Sequence, residues 1–502
     1  MGMKPSAAIV GAGLGGLCVG ALAKQAGFDD IVLLEQADSV GGTWRDNSYP
    51  GCCCDVPVAL YQFSFFQSIA WSHLFPRAEE LHRYTNDFTD AMGLRPHLKL
   101  GDGVVRAVWD EEKGAWHVTT RKGNSYDASV LVMALGQLNR PQWPQIEGRD
   151  SFKGHAFHSA RWDHGLSLEG KRVGVIGSAA SAVQIIPEVA KIARELVVFQ
   201  RTPNWVIPRL DRPITDEEKT LMMTDPEAAM KIGARARANI YENADHFFWQ
   251  AFAWTPEGRA AVRRQALNHL EAQVQDPVLR AKLIPDYPPG CKRVLIADDF
   301  YPALTRSNVI LETDGIKRIV PEGVEMNTGK VHAFDVIVYA TGFETTGWHW
   351  SADVIGRDGR SLNDVWKDGP EAYLGLSVAN FPNMFMTYGP NTNLGHNSIT
   401  FMIERQAEYI IAAMKQLEER GLKAMEVKAS AQKRFNKKLQ ADLGKTVWAD
   451  PHCTSWYKNA NGRITQNWSS HTRDYAKATR KVAMGDYLLT EKGAGRKPLA
   501  AE

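Results

Sequence analysis

Ala7-Ala-Ile-Val10-Gly11-Ala-Gly13-Leu-Gly-Gly16 sets four apolar residues in front of a glycine-rich turn. The apolar residues read as a short strand, and residues 17–25 as the helix that follows. A strand, a glycine turn and a helix in that order begin a dinucleotide-binding unit. Each glycine meets a separate need: Gly11 allows the tight turn, Gly13 lets backbone approach a pyrophosphate, and Gly16 lets the helix pack on the strand. Free N–H groups and the positive end of the helix dipole then face the phosphates. The same order returns at Lys171-Arg-Val-Gly-Val-Ile176 and Gly177-Ser178-Ala179-Ala-Ser181-Ala182, with a helix expected over 183–193. Alanine replaces the second and third glycines there, and the methyl of Ala179 keeps the backbone slightly farther from a pyrophosphate. Two such turns predict an α/β fold with two Rossmann-like dinucleotide-binding domains.

The residue closing the next strand of each unit separates the two nucleotides. Ile31–Leu34 ends in Glu35, about twenty residues past the last glycine, where a carboxylate accepts from a ribose 2′-hydroxyl and repels a 2′-phosphate. The first site is therefore expected to hold FAD. Residues 196–199 end instead in Gln200-Arg201-Thr202, and a guanidinium with a hydroxyl suits a 2′-phosphate, so NADPH is expected at the second. The plainer alternatives are a solvated strand end for Glu35 and an ordinary surface charge for Arg201.

At 502 residues, with 44% apolar and 23% charged residues, the chain has room for two to four domains with large cores. A net charge of +2 gives no basic field for nucleic acid. No apolar run is long enough to cross a membrane, and the apolar N-terminus continues into folded-looking sequence rather than to a cleavage site. A cytoplasmic protein is expected. The six cysteines, Cys18, Cys52, Cys53, Cys54, Cys291 and Cys453, show neither zinc spacing nor a C-x-x-C dithiol, so reduced, mostly buried thiols are expected. Oligomeric state leaves no mark in the sequence.

Between the two units lies Phe152-Lys-Gly154-His-Ala-Phe-His158-Ser-Ala-Arg-Trp162-Asp163. Its marked residues fit neither a helical nor a strand period and read as a loop or linker. The pattern F-x-G-x-x-x-H-x-x-x-W-[PD] is met at every fixed position, and in this the chain resembles the type I Baeyer-Villiger monooxygenases, a class B flavin-dependent monooxygenase family. Further segments carry the resemblance along nearly the whole chain. They are Gly41-Gly42-Thr43-Trp44-Arg45-Asp46, Tyr49-Pro-Gly51-Cys-Cys-Cys-Asp55 with Tyr61, Tyr287-Pro-Pro-Gly290-Cys-Lys292-Arg293, Ala340-Thr341-Gly342-Phe343, Gly389-Pro-Asn391-Thr392-Asn393-Leu-Gly395-His396 and Ser455-Trp456-Tyr457.

The resemblance implies that NADPH reduces FAD, that reduced flavin and O2 give a flavin peroxide, and that this attacks a ketone to yield an ester or lactone. It makes Arg293 the catalytic residue and Asp55 the carboxylate that orients it. It adds Lys292 to Arg201 and Thr202 at the NADP phosphate, brings Trp456 against NADP, and puts Gly42, Thr43, Trp44, Asp46 and Tyr61 at the flavin. Read from the residues alone, Asp55 is a turn residue, Lys292 and Arg293 a pair of surface cations, and Trp456 a core side chain. The expected domains are an FAD domain over 1–145 that resumes over 342–502, and an NADP domain over 146–341 with a helical insert at about 211–286. In the insert, Phe247, Phe248, Trp249, Phe252 and Trp254 are candidates for a substrate pocket, with core packing the alternative. Single strands are expected over Val104–Asp110, Ala115–Thr120, 130–135 and 331–339, and a helix over 399–420. The last dozen residues read as disordered. Competing readings are an N- or S-oxygenating flavin-containing monooxygenase, a disulfide reductase, which needs a C-x-x-C the chain lacks, and a non-catalytic nucleotide sensor, which has no use for Arg293.

Overall fold

The computed structural model describes residues 4–225, 227, 238, 242, 244–245, 249, 255–345 and 352–492. Two five-stranded sheets organise it. The first runs Met384–Met386, Val130–Met133, Ala7–Val10, Ile31–Leu34, Leu98–Lys99, and every pairing is parallel. The second runs Val309–Glu312, Glu195–Phe199, Arg172–Ile176, Val336–Tyr339, His155–His158, again all parallel. In both, the strand that feeds a glycine turn is the middle one. Ala7–Val10, Val130–Met133 and Val336–Tyr339 are buried at every position, as strands covered on both faces must be.

The two turns are built alike. Gly11 and Gly177 take φ of +104° and +119°, and a Cβ on either would collide with the carbonyl oxygen of Ala134 or Ala340, respectively, just past the neighbouring strand. Gly11 N donates to Leu34 O at 2.8 Å and Gly177 N to Phe199 O at 3.1 Å. Both helices start directly off the turn, at Leu14–Gln25 and Ala180–Ile192, three residues earlier than their apolar pattern suggests. The caps Gly13 and Ala179 are extended, so the next residue can enter the helix at once.

Several expectations need correcting. The 152–163 stretch is only partly loop: His155–His158 is an edge strand of the second sheet, followed by a 3-10 turn at Ser159–Arg161. Only Phe157 and His158 of that strand are buried, so there was no alternation to read. Residues 331–339 form two strands in different sheets. Val331–Ala333 closes an antiparallel sheet with Ile316–Val320 and Gly323–Met326, while Val336–Tyr339 joins the second parallel sheet. Asp335 makes the break, accepting from Arg172 N and from the Arg172 guanidinium, each at 2.8 Å.

Val104–Asp110, Ala115–Thr120 and Ser125–Ala128 form the expected meander, joined in parallel by Asp353–Ile355. The insert region shows helices Asp216–Thr224, Pro256–Gln273 and Pro277–Lys282. Trp249 is buried against Trp448 and His396. Phe247, Phe248, Phe252, Trp254 and residues 493–502 lie outside the described residues. No described helix is long and apolar enough to cross a membrane.

The chain passes between the sheets twice, and the two passages run side by side. Gln142 N donates to Gly342 O at 2.8 Å, Glu344 N to Arg140 O at 2.9 Å, and Thr341 Oγ1 to Gln142 O at 2.6 Å. The cysteine expectation fails in one place. Cys18, Cys52, Cys53 and Cys54 are unpaired and buried, but Cys291 and Cys453 form a disulfide. These two stand 162 residues apart with Cα atoms 5.3 Å apart, a proximity that only the tertiary fold creates.

Gly177→Ala should cost about 3 kcal/mol or more, because it adds a strained φ to a collision with backbone that has nowhere to move. Urea unfolding of the purified variant checks this, and a midpoint equal to the parent's would contradict the turn geometry.

Candidate active site

A cavity of about 370 Å³ opens at the carboxyl end of the first sheet and is lined by Gly11, Gly13, Glu35, Gly42, Thr43, Trp44, Asp46 and Tyr61, among others. Gly16 lies below it, where a Cβ would strike the Gly11 carbonyl. Glu35 is no solvated strand end. It is buried, and accepts from Ala12 N at 2.8 Å and Ala37 N at 3.0 Å, with Arg45 3.4 Å away. The short helix Thr43–Asp46 starts from Gly42, whose positive φ of +53° lets it sit against Gly13; a Cβ on Gly42 would lie 3.1 Å from the Gly13 Cα. Trp44 Nε1 donates to Tyr61 Oη at 3.2 Å and meets its ring edge-on. Gln137, Asn139, Arg140, Arg161, Thr387 and Tyr388 also line the cavity. Arg161 stands at an unspecified position of the 152–163 stretch, and the others just beyond strands or in the linker, so no fixed motif position singles them out.

Asp55 and Arg293 meet in a bidentate pair, Nε to Oδ2 at 2.5 Å and a terminal nitrogen to Oδ1 at 2.8 Å. The other terminal nitrogen donates to Leu394 O at 3.4 Å. Both side chains stay about 30% exposed, so the pair is enclosed but reachable. Burial opposes the Asp55 carboxylate, yet the Arg293 charge and its hydrogen bonds prevail and hold the carboxyl below its usual range. Burial also opposes the guanidinium, and Asp55 more than offsets it, so Arg293 is cationic at any working pH.

Each half of the pair is fixed by the rest of the fold. Asp55 ends a loop clasped by the helix Ala180–Ile192: Gln184 accepts from Tyr49 Oη at 3.0 Å and donates to Cys53 O at 3.0 Å. The loop of Arg293 is held by Trp205 Nε1 donating to Tyr287 O at 2.8 Å and Trp448 Nε1 donating to Gly290 O at 3.0 Å. Lys292 leaves this loop in another direction, lying 4.5 Å from the centre of the Tyr287 ring. Its pKa is lowered by burial and by the positive charge of Arg201, which places the two cations in one electrostatic neighbourhood. In the second turn, Ser178 Oγ donates to Thr202 O at 3.2 Å, Ser181 and Thr202 are half-buried, Ala182 is buried and Arg201 is exposed.

Tyr388 and Tyr457, which sequence reasoning did not single out as site residues, stand in the field of Arg293. Burial pushes the Tyr457 hydroxyl up to about 12. Trp456 is half-buried beside it, ring centroids 4.5 Å apart. The 152–163 residues do not reach the pair. His158 is fully buried at the paired passages between rings of Trp143 and Phe343, its Nδ1 accepting from Ala160 N at 3.1 Å, and burial drives its pKa down to about 4. The Phe152 ring covers Gly154, Trp162 packs edge-on against Phe157 at 5.0 Å, and exposed Asp163 accepts from Gly165 N at 3.0 Å.

Known proteins agree with this architecture. A Baeyer-Villiger monooxygenase of Streptomyces coelicolor is 40% identical over 483 residues, 96% of this chain and 92% of the relative. The chain belongs to the Baeyer-Villiger monooxygenase family. Among solved structures, OTEMO in complex with FAD and NADP superposes with a TM-score of 0.86 at 30% identity, over 97% of this chain and 99% of that one. Cyclohexanone monooxygenase bound to ε-caprolactone gives 0.84 at 29%, over 97% and 99%. The family described as pyridine nucleotide-disulphide oxidoreductase matches residues 8–213, the stretch that holds both glycine turns. Within that stretch the four cysteines are free and buried. Burial raises the pKa of Cys18, Cys52, Cys53 and Cys54, with Cys52 at about 12.

The depressed Asp55 pKa fixes a sign. The stability it contributes is complete above the unfolded carboxyl pKa, near ~3.9, and fades as pH falls through its lower folded value. Asp55→Asn should therefore be less stable than the parent at pH 7, and the gap should close below pH about 4. Unfolding curves across pH check it, and a gap that widens on acidification would reject the assignment.

Proposed function

We propose that this chain oxidises a ketone to an ester or lactone with NADPH and O2, around the Arg293–Asp55 pair. The residues present fit the two cofactors. Gly11, Gly13 and Gly42 leave backbone bare along the cavity, Glu35 presents a carboxylate held at the turn, and Lys292 with Arg201 forms a cationic corner at the second turn. On this reading the FAD domain spans 1–145 and 342–502, and the NADP domain spans 146–341. When bound, FAD carries electrons from NADPH to O2 and supplies the oxidising chemistry.

The protein's own part is placement and charge. A guanidinium has five N–H donors; Arg293 directs two to Asp55 and one to Leu394 O. Two remain to hold an oxygen that gains negative charge, and a fixed cation does this with no proton to lose. Asp55 sets the plane of the guanidinium, so those two donors keep one direction. Arg201, Thr202 and Lys292 would hold the 2′-phosphate, and Trp456 would lie against bound NADP and help to exclude water. The partners are a small ketone and O2, in a cytoplasmic setting. The lactone held by the related cyclohexanone monooxygenase supports the ketone class.

Product analysis of the purified flavoprotein with NADPH, O2, a ketone panel and a thioether tests this. Ester or lactone is expected; sulfoxide alone would transfer the chain to the N- or S-oxygenating enzymes. Arg293→Ala should bind FAD and accept electrons from NADPH, yet lose at least about 100-fold in ester formation. Unimpaired ester formation would remove Arg293 from the chemistry. Arg201→Ala should weaken NADPH by about 10- to 100-fold, the worth of a charged hydrogen bond, and leave NADH nearly unchanged. Equal losses would refute the phosphate role.

A further inference from the structure

Cys291 immediately precedes Lys292 and Arg293, and Cys453 stands two residues before Ser455-Trp456-Tyr457. Their disulfide therefore ties the cationic loop to the C-terminal segment that carries Trp456. Both sulfurs belong to buried residues, while Pro451, His452 and Thr454 beside Cys453 are exposed, so the segment lies on the surface with its cysteine tucked inward. Local backbone bonds, Cys453 N to Asp450 O at 3.0 Å and Lys458 N to Ser455 O at 3.2 Å, stay within the segment and do not fasten it to the loop. Cys291 Sγ also lies 4.0 Å from Thr454 O, Trp448 Nε1 donates to Gly290 O, and Tyr287, Cys291, Trp448, Cys453 and Tyr457 share one apolar cluster, so the disulfide is the covalent tie among several contacts between the two regions. At the end of the strap the Tyr457 hydroxyl is buried and has no hydrogen-bond partner among the described residues.

We propose that Cys291–Cys453 is a redox-set strap that, when closed, holds the 453–457 segment over the nicotinamide-nucleotide site and, when reduced, lets it lift. Opening needs a dithiol. The S–S bond breaks, two electrons and two protons pass to the cysteine sulfurs, and the dithiol leaves as its own cyclic disulfide. Closing is the reverse exchange with an oxidised disulfide reagent. Because the sulfurs are buried, a thiolate reaches them only when a local fluctuation exposes the bond, so the rate of reduction follows that fluctuation. Binding and strap closure are linked: if closure favours NADP+, NADP+ protects the bond by the same factor. The proposal deepens the reading of the second site as an NADPH site and rests on it for the ligand.

The test uses the full-length flavoprotein purified without reductant. Denaturing alkylation followed by mass spectrometry should find four labelled cysteines, Cys18, Cys52, Cys53 and Cys54; six would overturn the strap. Native protein opened with dithiothreitol should bind NADP+ about 10-fold more weakly, by titration of tryptophan fluorescence, with FAD retained. NADP+ should slow the opening. Cys453→Ser should match the opened parent and ignore dithiothreitol, and the parent with and without reductant answers the question even if that variant does not fold. Equal NADP+ affinity in closed and opened protein would overturn the proposal. None of these readouts needs oxygenation of any substrate, so a failure of the ketone chemistry leaves the strap standing, and the converse holds.

Discussion

One ion pair fixes what the rest of the structure has to achieve. Asp55 and Arg293 are 238 residues apart, and neither is placed by its own neighbours alone. A carboxylate and a guanidinium largely withdrawn from water are tolerated best when each satisfies the other, so the fold must deliver both to within a fraction of an ångström. It does so by clamping the Asp55 loop with Gln184 of the second unit and the Arg293 loop with two buried indoles. The site is thus held jointly by the two halves, and a disturbance of either nucleotide unit is felt at the pair.

Much of this could be read from the chain because it rests on short-range requirements. The glycine turns are legible since positive φ and close backbone approach exclude a side chain at Gly11 and Gly177. The four-residue buried strands are legible as apolar runs, and Glu35 against Arg201 makes the two turns differ in charge at the end of the following strand. The family resemblance supplied the pairing of Asp55 with Arg293, which no local pattern contains.

What escaped was set at long range. The His155–His158 strand owes its state to pairing with Val336–Tyr339 rather than to its own alternation. The split of 331–339 depends on one carboxylate finding Arg172. Tyr388 follows a short strand outside any quoted motif, and Tyr457 closes the 455–457 segment whose tryptophan drew the attention, so neither was singled out although both stand in the field of Arg293. The disulfide is the plainest case, since spacing along the chain carries no information about two cysteines brought together by the final fold.

The paired passages between the sheets have a mechanical consequence. Two strands of chain bonded flank to flank act as a two-ply ribbon, stiff against bending in its own plane and soft across it. His158, uncharged and sealed between aromatic rings, lies on that ribbon and puts no ionic stiffness into it. The two connections between the sheets are thus bonded to each other, so one cannot shift without carrying the other.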